Sequence, residues 1–172
     1  GLGLPPVPGG EGVLKDAQEA GAFADTHGFP VLLKAVAGGG GRGMRIVRSA
    51  DEMQEAFDAA SAEALSGFGD GRLYVERLVE NARHIEFQVL ADGRVAQVLG
   101  ERECSIQRRH QKLLEETPSP ALADAAGLAL RDEVSERVAR AVSALGYRGA
   151  GTFEMLLAPE GALYFMEMNT RL

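Results

Sequence analysis

Two glutamates near the end of the chain, Glu154 and Glu167, lie on either side of PEGA (159–162) in the stretch TFEMLLAPEGALYFMEMN. With PEGA as the four-residue loop of a hairpin over 152–169, Ala158 pairs with Leu163 and Glu154 falls opposite Glu167. Carboxylates directly across an antiparallel ladder have Cβ atoms roughly 5 Å apart and repel each other. Such a pair calls for something positive between its members, and Mg²⁺ carrying nucleotide phosphates is the usual solution. Asn169 and Arg171 follow at i+2 and i+4, on the face of Glu167 if the strand continues, which sets carboxylate, amide and guanidinium in a row. The alternatives are the exposed face of a half-buried hairpin, or one proton shared by the two acids with a raised pKa. On the metal reading, glutamine at either position weakens metal dependence and relieves repulsion in the metal-free chain.

A second constellation is the run GGGGRG (38–43), with Lys34 just before it in VLLKAV. Consecutive glycines let backbone N–H groups approach a phosphate closely. The run lacks the Lys-Ser/Thr ending of a P-loop, and a strand pattern follows it instead of a helix. It therefore fits a hairpin tip that closes over phosphates, or a plain surface turn. Lys34 is either a solubility charge on an edge strand or a phosphate contact. The third constellation is RECSIQRRHQK (102–112), where Gln107, His110 and Lys112 stand beside Arg102, Arg108 and Arg109. It reads as a second wall of the same anion site, or as an internal salt-bridge network with Glu101, Glu103, Glu115 and Glu116.

The 172 residues have a formal net charge of -7, 45% hydrophobic residues and 25% charged ones. That composition suits a globular chain with a real core, and the acidic balance argues against nucleic acid or an anionic membrane as the partner. A lone cysteine, Cys104, excludes an intrachain disulfide and fits a reducing compartment. No apolar run reaches the roughly 20 residues needed to cross a bilayer, and GLGLPPVPGGEG has no signal-peptide character. The expectation is a soluble, cytoplasmic protein.

The elements that must position these residues follow from spacing and punctuation. The Pro/Gly opening is a loop or linker, and Leu14, Ala17, Ala20, Phe23 and Ala24 predict a helix over 13–27 stopped by Gly28. Strands are expected at 30–37, 44–48 and 72–78, with a helix over 50–65 opened by a Ser49/Glu52 capping box. Asp92-Gly93 marks a hairpin over 84–101, after which the basic segment is expected to be a loop. Leu122, Ala126, Leu130, Val134, Val138 and Val142 predict a long helix ended by Gly146. The pattern is α+β, with a small lobe over about 5–79 and part of a larger one over 84–172.

LLKAVAGGGGRGM, LYVERLVENARHIEFQVL, GERECSIQRRHQK, EETPSP, GYRGAGTFEML and YFMEMNTRL together closely resemble the biotin carboxylase family of ATP-grasp enzymes, collinearly and over nearly the whole chain. The resemblance implies an ATP-grasp fold, with 1–79 as lid subdomain and entry linker and 80–172 as the first part of the antiparallel-sheet catalytic subdomain. It implies that bicarbonate attacks the γ-phosphate of ATP, with Mg²⁺ or Mn²⁺, to give carboxyphosphate, and that CO₂ passes to biotin on a carrier domain. By position, Lys34 contacts the nucleotide, and Gly38, Gly39, Gly40, Gly41, Arg42 and Gly43 form the lid loop. Glu76 and Val79 offer backbone hydrogen bonds to adenine. His84, Gln107 and His110 line the nucleotide pocket, with Leu156 and Met166 beside the base. Glu154 and Glu167 match metal ligands with Asn169 alongside, and Lys112 and Arg171 match groups near bicarbonate. Implied partners are ATP, bicarbonate, a biotinylated carrier domain and a carboxyltransferase component, in an oligomeric parent. An ATP-grasp carboxylate–amine ligase and a non-catalytic ATP-binding module are the competing expectations. The chain stops at NTRL, where the family continues into its bicarbonate base and, later, a further arginine. It also begins after the family's first domain, so it is expected to be an incomplete enzyme. Ala82 replaces a proline common in relatives.

Overall fold

The structure is a computed structural model describing residues 3–39, 42–109 and 111–171. It divides into two compact units, Val7–Leu78 and a second formed by the chain from Val79 onward with the opening segment up to Pro6.

In the first unit, helix α1 (Ala17–His27) is followed by strands β1 (Val31–Ala35) and β2 (Met44–Val47), helix α2 (Met53–Phe68) and strand β3 (Leu73–Arg77). The sheet order is β2-β1-β3, antiparallel throughout. α1 begins later than its apolar spacing suggests because Asp16 caps it, accepting the N–H of Glu19 at 2.9 Å. The capping box expected ahead of α2 does not form. Glu52 accepts the N–H of Arg48 at 2.9 Å, the Ser49 side chain caps nothing, and 50–52 wind as a 3₁₀ turn. Both helices pack small residues (Ala17, Ala20, Ala24, Ala56) onto Val31, Leu33, Val47 and Val75, so backbone and sheet approach closely. The Pro/Gly opening is more than a linker. Gly10 N–H donates to Val75 at 2.9 Å and Arg77 N–H to Pro8 at 2.8 Å, so it lines the outer edge of β3. A side chain at Gly9 or Gly10 would meet the backbone or side chain of Val75 at 3.0 Å.

In the second unit, strands β4 (Arg83–Asp92), β5 (Ala96–Arg108) and β6 (Gln111–Glu116) precede helix α3 (Ala125–Ala144) and strands β7 (Arg148–Leu157) and β8 (Leu163–Thr170). The antiparallel sheet runs β6-β5-β4-β7-β8. The basic segment expected as a loop is therefore mostly strand: β5 continues to Arg108 and turns back as β6, with Arg109 at φ 51° in the turn. Ile85, Phe87, Val89, Phe153, Met155 and Leu163 face α3, which contributes Val134, Val138 and Val142 from one stripe. The other sheet face carries Glu86, Gln88, Thr152 and Glu154, the alternate positions of the same strands.

α3 starts where Asp124 accepts the N–H of Gly127 at 2.7 Å. A Cβ on Gly127 would lie 2.5 Å from Leu122 Cα. Alanine has the better helix propensity by about 1 kcal/mol, but overpacking against backbone costs about 1–3 kcal/mol. Gly127→Ala is therefore expected to lower the urea midpoint; an unchanged or higher midpoint would show that the turn before α3 yields at no cost.

Candidate active site

The functional side chains of the second unit lie on one rung of the sheet. Arg102 pairs with Glu86, Glu86 with Glu154, and Glu154 with Glu167, across β5, β4, β7 and β8. The neighbouring rung pairs Gln88 with Thr152 and Thr152 with Asn169. The opposition of Glu154 and Glu167 is as the hairpin reading expects, but it arises differently. At the loop Leu157, not Ala158, pairs with Leu163, and a bulge between Glu154 and Met155 restores the alignment by leaving Met166 unpaired. Met166 is consequently exposed at 41%.

Three carboxylates in adjacent strands demand compensation. Lys112 Nζ supplies it from β6, 2.6 Å from Glu86 Oε2 and 2.9 Å from Glu154 Oε1. Arg102 pairs with the buried Glu86 and reaches Glu115 at 2.6 Å. Asn169 Nδ2 donates to Glu154 Oε1 at 2.7 Å and to Glu167 Oε1 at 3.3 Å, joining the two acids of the hairpin. His84 Nε2 stands 2.9 Å from Glu154 Oε2, and Gln107 Nε2 is 2.9 Å from His84 Nδ1. Burial alone would raise the Glu154 pKa, but His84 and Lys112 outweigh it and hold the carboxyl at about 2. Lys112 and His84 at Glu154 thus favour its charged carboxylate over the shared-proton alternative. Lys112 titrates above its ordinary value: burial opposes the charge, and its bonds to Glu154 and Glu86 more than offset it.

The salt-bridge alternative for the basic segment describes Arg102 and Lys112 as they stand, although their partners are Glu86, Glu154 and Glu115 rather than Glu101 and Glu103. Those two face α3, where Glu101 accepts from Ser119 N–H and Glu103 from Ser119 Oγ and Arg83. Glu116 pairs with Glu103 in the ladder. Arg108 and Arg109 are exposed, and His110 lies outside the described residues. Arg171 follows β8, its N–H donating to Ala150 at 2.8 Å. Leu156 is half-buried between its partners His84 and Tyr164. Glu86 is the contributor that the sequence reading missed as a site group, and Arg102, read there as part of the anion wall, proves to be its ion-pair partner. The signal was present: in HIEFQV, Ile85 and Phe87 point to the core, which puts His84, Glu86 and Gln88 on the opposite face.

In the first unit, Lys34 lies on the central strand, so it is not an edge-strand charge. It projects from the face opposite the helices, 3.0 Å from Glu76 Oε2 and 5.2 Å from the Tyr74 ring centroid. Burial works against its charge, yet Glu76 and Tyr74 raise its pKa. Glu76 pairs with Leu32 in the ladder and with Gly9 in a bridge, and Val79 is half-buried at the start of the second unit. Of the glycine loop, Gly40 and Gly41 lie outside the described residues. Gly43 takes φ 73°, and a Cβ there would sit 2.8 Å from Ala35 Cβ and 2.9 Å from Phe68. Arg42 stands over the Phe68 ring and Gly38 N–H donates to Ala35, so this loop is packed at its base.

The first unit thus carries Lys34 and a glycine-rich segment, and the second a rung of carboxylates, an amide and a lysine. The family model for the carbamoyl-phosphate synthase L chain ATP-binding domain matches residues 1–172. The chain belongs to this family. Among curated relatives, the biotin carboxylase of Nostoc sp. is 53% identical over 172 residues, covering 99% of this chain and 37% of the relative. The 2-oxoglutarate carboxylase small subunit of Hydrogenobacter thermophilus is 49% identical, covering 99% and 35%. The chain thus spans about a third of the length of the curated relatives it matches. The Campylobacter jejuni biotin carboxylase β,γ-ATP complex has a TM-score of 0.90 at 47% identity, covering 99% of this chain and 38% of that one. The biotin carboxylase domain of the H. thermophilus enzyme, in complex with MgADP, ADP and bicarbonate, also gives 0.90 at 48% identity, covering 99% and 37%. The fold is ATP-grasp.

Compensation on the rung is uneven, which corrects the expectation that neutralising either acid relieves repulsion. Glu154 has Lys112, Asn169 and His84; exposed Glu167 has, among the described residues, the long Asn169 contact. Glu154→Gln is expected to cost about 1.5–3 kcal/mol, the range for hydrogen bonds to a charged group, and Glu167→Gln within about 0.5 kcal/mol of zero. Because the folded Glu154 pKa is depressed from 4.5 to about 2, its contribution is present above 4.5 and lost as pH falls through 2. Thermal melts over that window should show a steeper acid loss for wild type than for Glu154→Gln; parallel curves would remove Glu154 as the source.

Proposed function

We propose that this chain is the ATP-binding part of a biotin carboxylase, in which bicarbonate attacks the γ-phosphate of ATP and the resulting carboxyphosphate delivers CO₂ to N1′ of biotin on a carrier domain. The observation that carries the proposal is the Arg102–Glu86–Glu154–Glu167 rung with Lys112 seated between two of its acids, in a chain about half identical to named biotin carboxylases. Glu154, Glu167 and the Asn169 amide are an oxygen-rich set that fits Mg²⁺ or Mn²⁺. When bound, the ion neutralises charge on the phosphates; no protein nucleophile is required for the transfer.

In this reading the chain's own groups bind and orient. Lys34, pre-aimed by Glu76 and Tyr74, takes the nucleotide phosphates, and the Gly38–Gly43 loop covers them and excludes water. Main-chain groups of Glu76 and Val79 hold adenine, with Leu156 and Met166 beside the ring. His84, Gln107 and His110 line the pocket. Lys112 and Arg171 hold bicarbonate against the phosphate. The names of relatives include 2-oxoglutarate carboxylase and pyruvate carboxylase, so the acceptor that finally receives CO₂ is chosen outside this chain, by a carboxyltransferase partner. A cytoplasmic setting and an oligomeric parent complete the proposal. Among the described residues no helix is long and apolar enough to cross a membrane.

The test is ADP release by the parent protein with bicarbonate and free biotin each omitted in turn. The expected result is turnover that requires both, and a raised ATP KM with lowered kcat for Lys34→Ala, corresponding to a loss of about 2–5 kcal/mol for one member of a desolvated charge pair. Turnover independent of biotin would point to a carboxylate–amine ligase, and ATP binding without turnover to a non-catalytic module.

A further inference from the structure

Glu154 belongs to two overlapping donor sets. With Glu167 and Asn169 it forms the oxygen-rich set described above. With His84 and Glu86 it forms another, in which one atom from each residue lies within 4.8 Å of the others. An imidazole with two carboxylates suits zinc and similar transition ions better than magnesium. Occupying the second set would take Glu154 from the first and displace Lys112, which bridges Glu86 and Glu154.

What decides between the sets is the proton on His84. Gln107 Nε2 lies 2.8 Å from the carbonyl oxygen of Cys104. A carbonyl only accepts, so the atom facing it is the amide nitrogen and the Gln107 side chain has one permitted orientation. The same nitrogen lies 2.9 Å from His84 Nδ1 and directs its second hydrogen there. Nδ1 must therefore accept, and the neutral ring carries its proton on Nε2, which is 2.9 Å from Glu154 Oε2. A protonated Nε2 has no lone pair for a metal. Ligation through Nε2 would move the proton to Nδ1 and set it against the Gln107 N–H. Turning the amide over would set its oxygen against the Cys104 carbonyl instead. Either arrangement leaves two like groups facing each other in a part-buried site.

We infer that Gln107 is a positioning and selectivity residue: by making His84 Nδ1 an acceptor it puts the ring proton on Nε2 and withholds that atom from transition metals. Glu154 is thereby kept for the oxygen-only site, a consequence that rests on the proposed magnesium role of Glu154, Glu167 and Asn169. Tautomer control by a hydrogen bond to the far ring nitrogen is the general device of metal-site histidines; here it works to keep a metal off.

Two measurements on this chain test the inference. Long-range ¹H–¹⁵N spectra of the ¹⁵N-labelled protein are expected to show His84 with its proton on Nε2; a proton on Nδ1 overturns the assignment whether or not any variant folds. Co²⁺ titration followed by visible absorption then compares wild type with Gln107→Leu, which places no N–H against Nδ1, so that the ring proton can move there and free Nε2. The variant is expected to bind Co²⁺ about 10- to 100-fold more tightly, the size of a second-layer effect on a metal-bound histidine, and to lose that gain when His84→Ala is added. Equal Co²⁺ affinity in wild type and variant overturns the role of Gln107. Mg²⁺ affinity in the same samples reports on the functional reading separately. Its absence, with the Nε2 proton and the Co²⁺ gain both observed, upholds Gln107 and removes the magnesium reading.

Discussion

The second unit is organised around a repulsion. Glu86, Glu154 and Glu167 stand on one rung in three adjacent strands, and Glu86 and Glu154 are buried at 1% and 5% exposure. Charges so placed are costly unless paired and hydrogen-bonded, and much of the local architecture answers that demand. β5 continues past its partner strand and folds back as β6, which brings Lys112 to the two inner acids; the same hairpin supplies Arg102. A bulge between Glu154 and Met155 sets Glu167 in register, so that Asn169 spans both acids. On the reverse face α3 covers an apolar layer of Ile85, Phe87, Val89, Phe153 and Met155. That layer gives the sheet the stability to hold like charges on its other side.

This explains why an acidic chain gathers cations over 102–112. Two of them answer local charge and not the net charge of -7. Arg102 and Lys112 are counter-charges for specific carboxylates distant in sequence but adjacent in the ladder. The arrangement also means that their desolvation is already balanced.

The legibility of all this was uneven for physical reasons. The spacing of Val134, Val138 and Val142 exposed the buried stripe of α3, because burial writes directly into residue type. Glu154 opposite Glu167 was found with an incorrect loop pairing: the assumed turn was one residue out at Leu163, and the bulge at Met166 cancelled the error. Bulges leave no mark in side-chain chemistry that a single chain reveals. The strand character of 105–108 and 111–116 was hidden because side chains there are mostly exposed or half-exposed, so neither face records a core. Lys34 was ambiguous for the opposite reason. Which strand is central depends on pairing between distant segments, and only the order β2-β1-β3 shows that its charge is held on an interior strand.

Glu86 marks the limit most clearly. In isolation it is one acid in HIEFQVL, and alternation says only that it turns from the core. Its importance comes from two neighbours, Arg102 on one side and Glu154 on the other, which are separated from it by 16 and 68 residues of chain. A residue whose role is to compensate, and be compensated by, groups on other strands has no local signature; its chemistry is a property of the register. The same holds for Gln107, whose orientation is fixed by the Cys104 carbonyl three residues back and whose effect falls on His84 one strand away. Resemblance to a family can name such positions as pocket residues. Only the ladder and the direction of each hydrogen bond say what they do to one another.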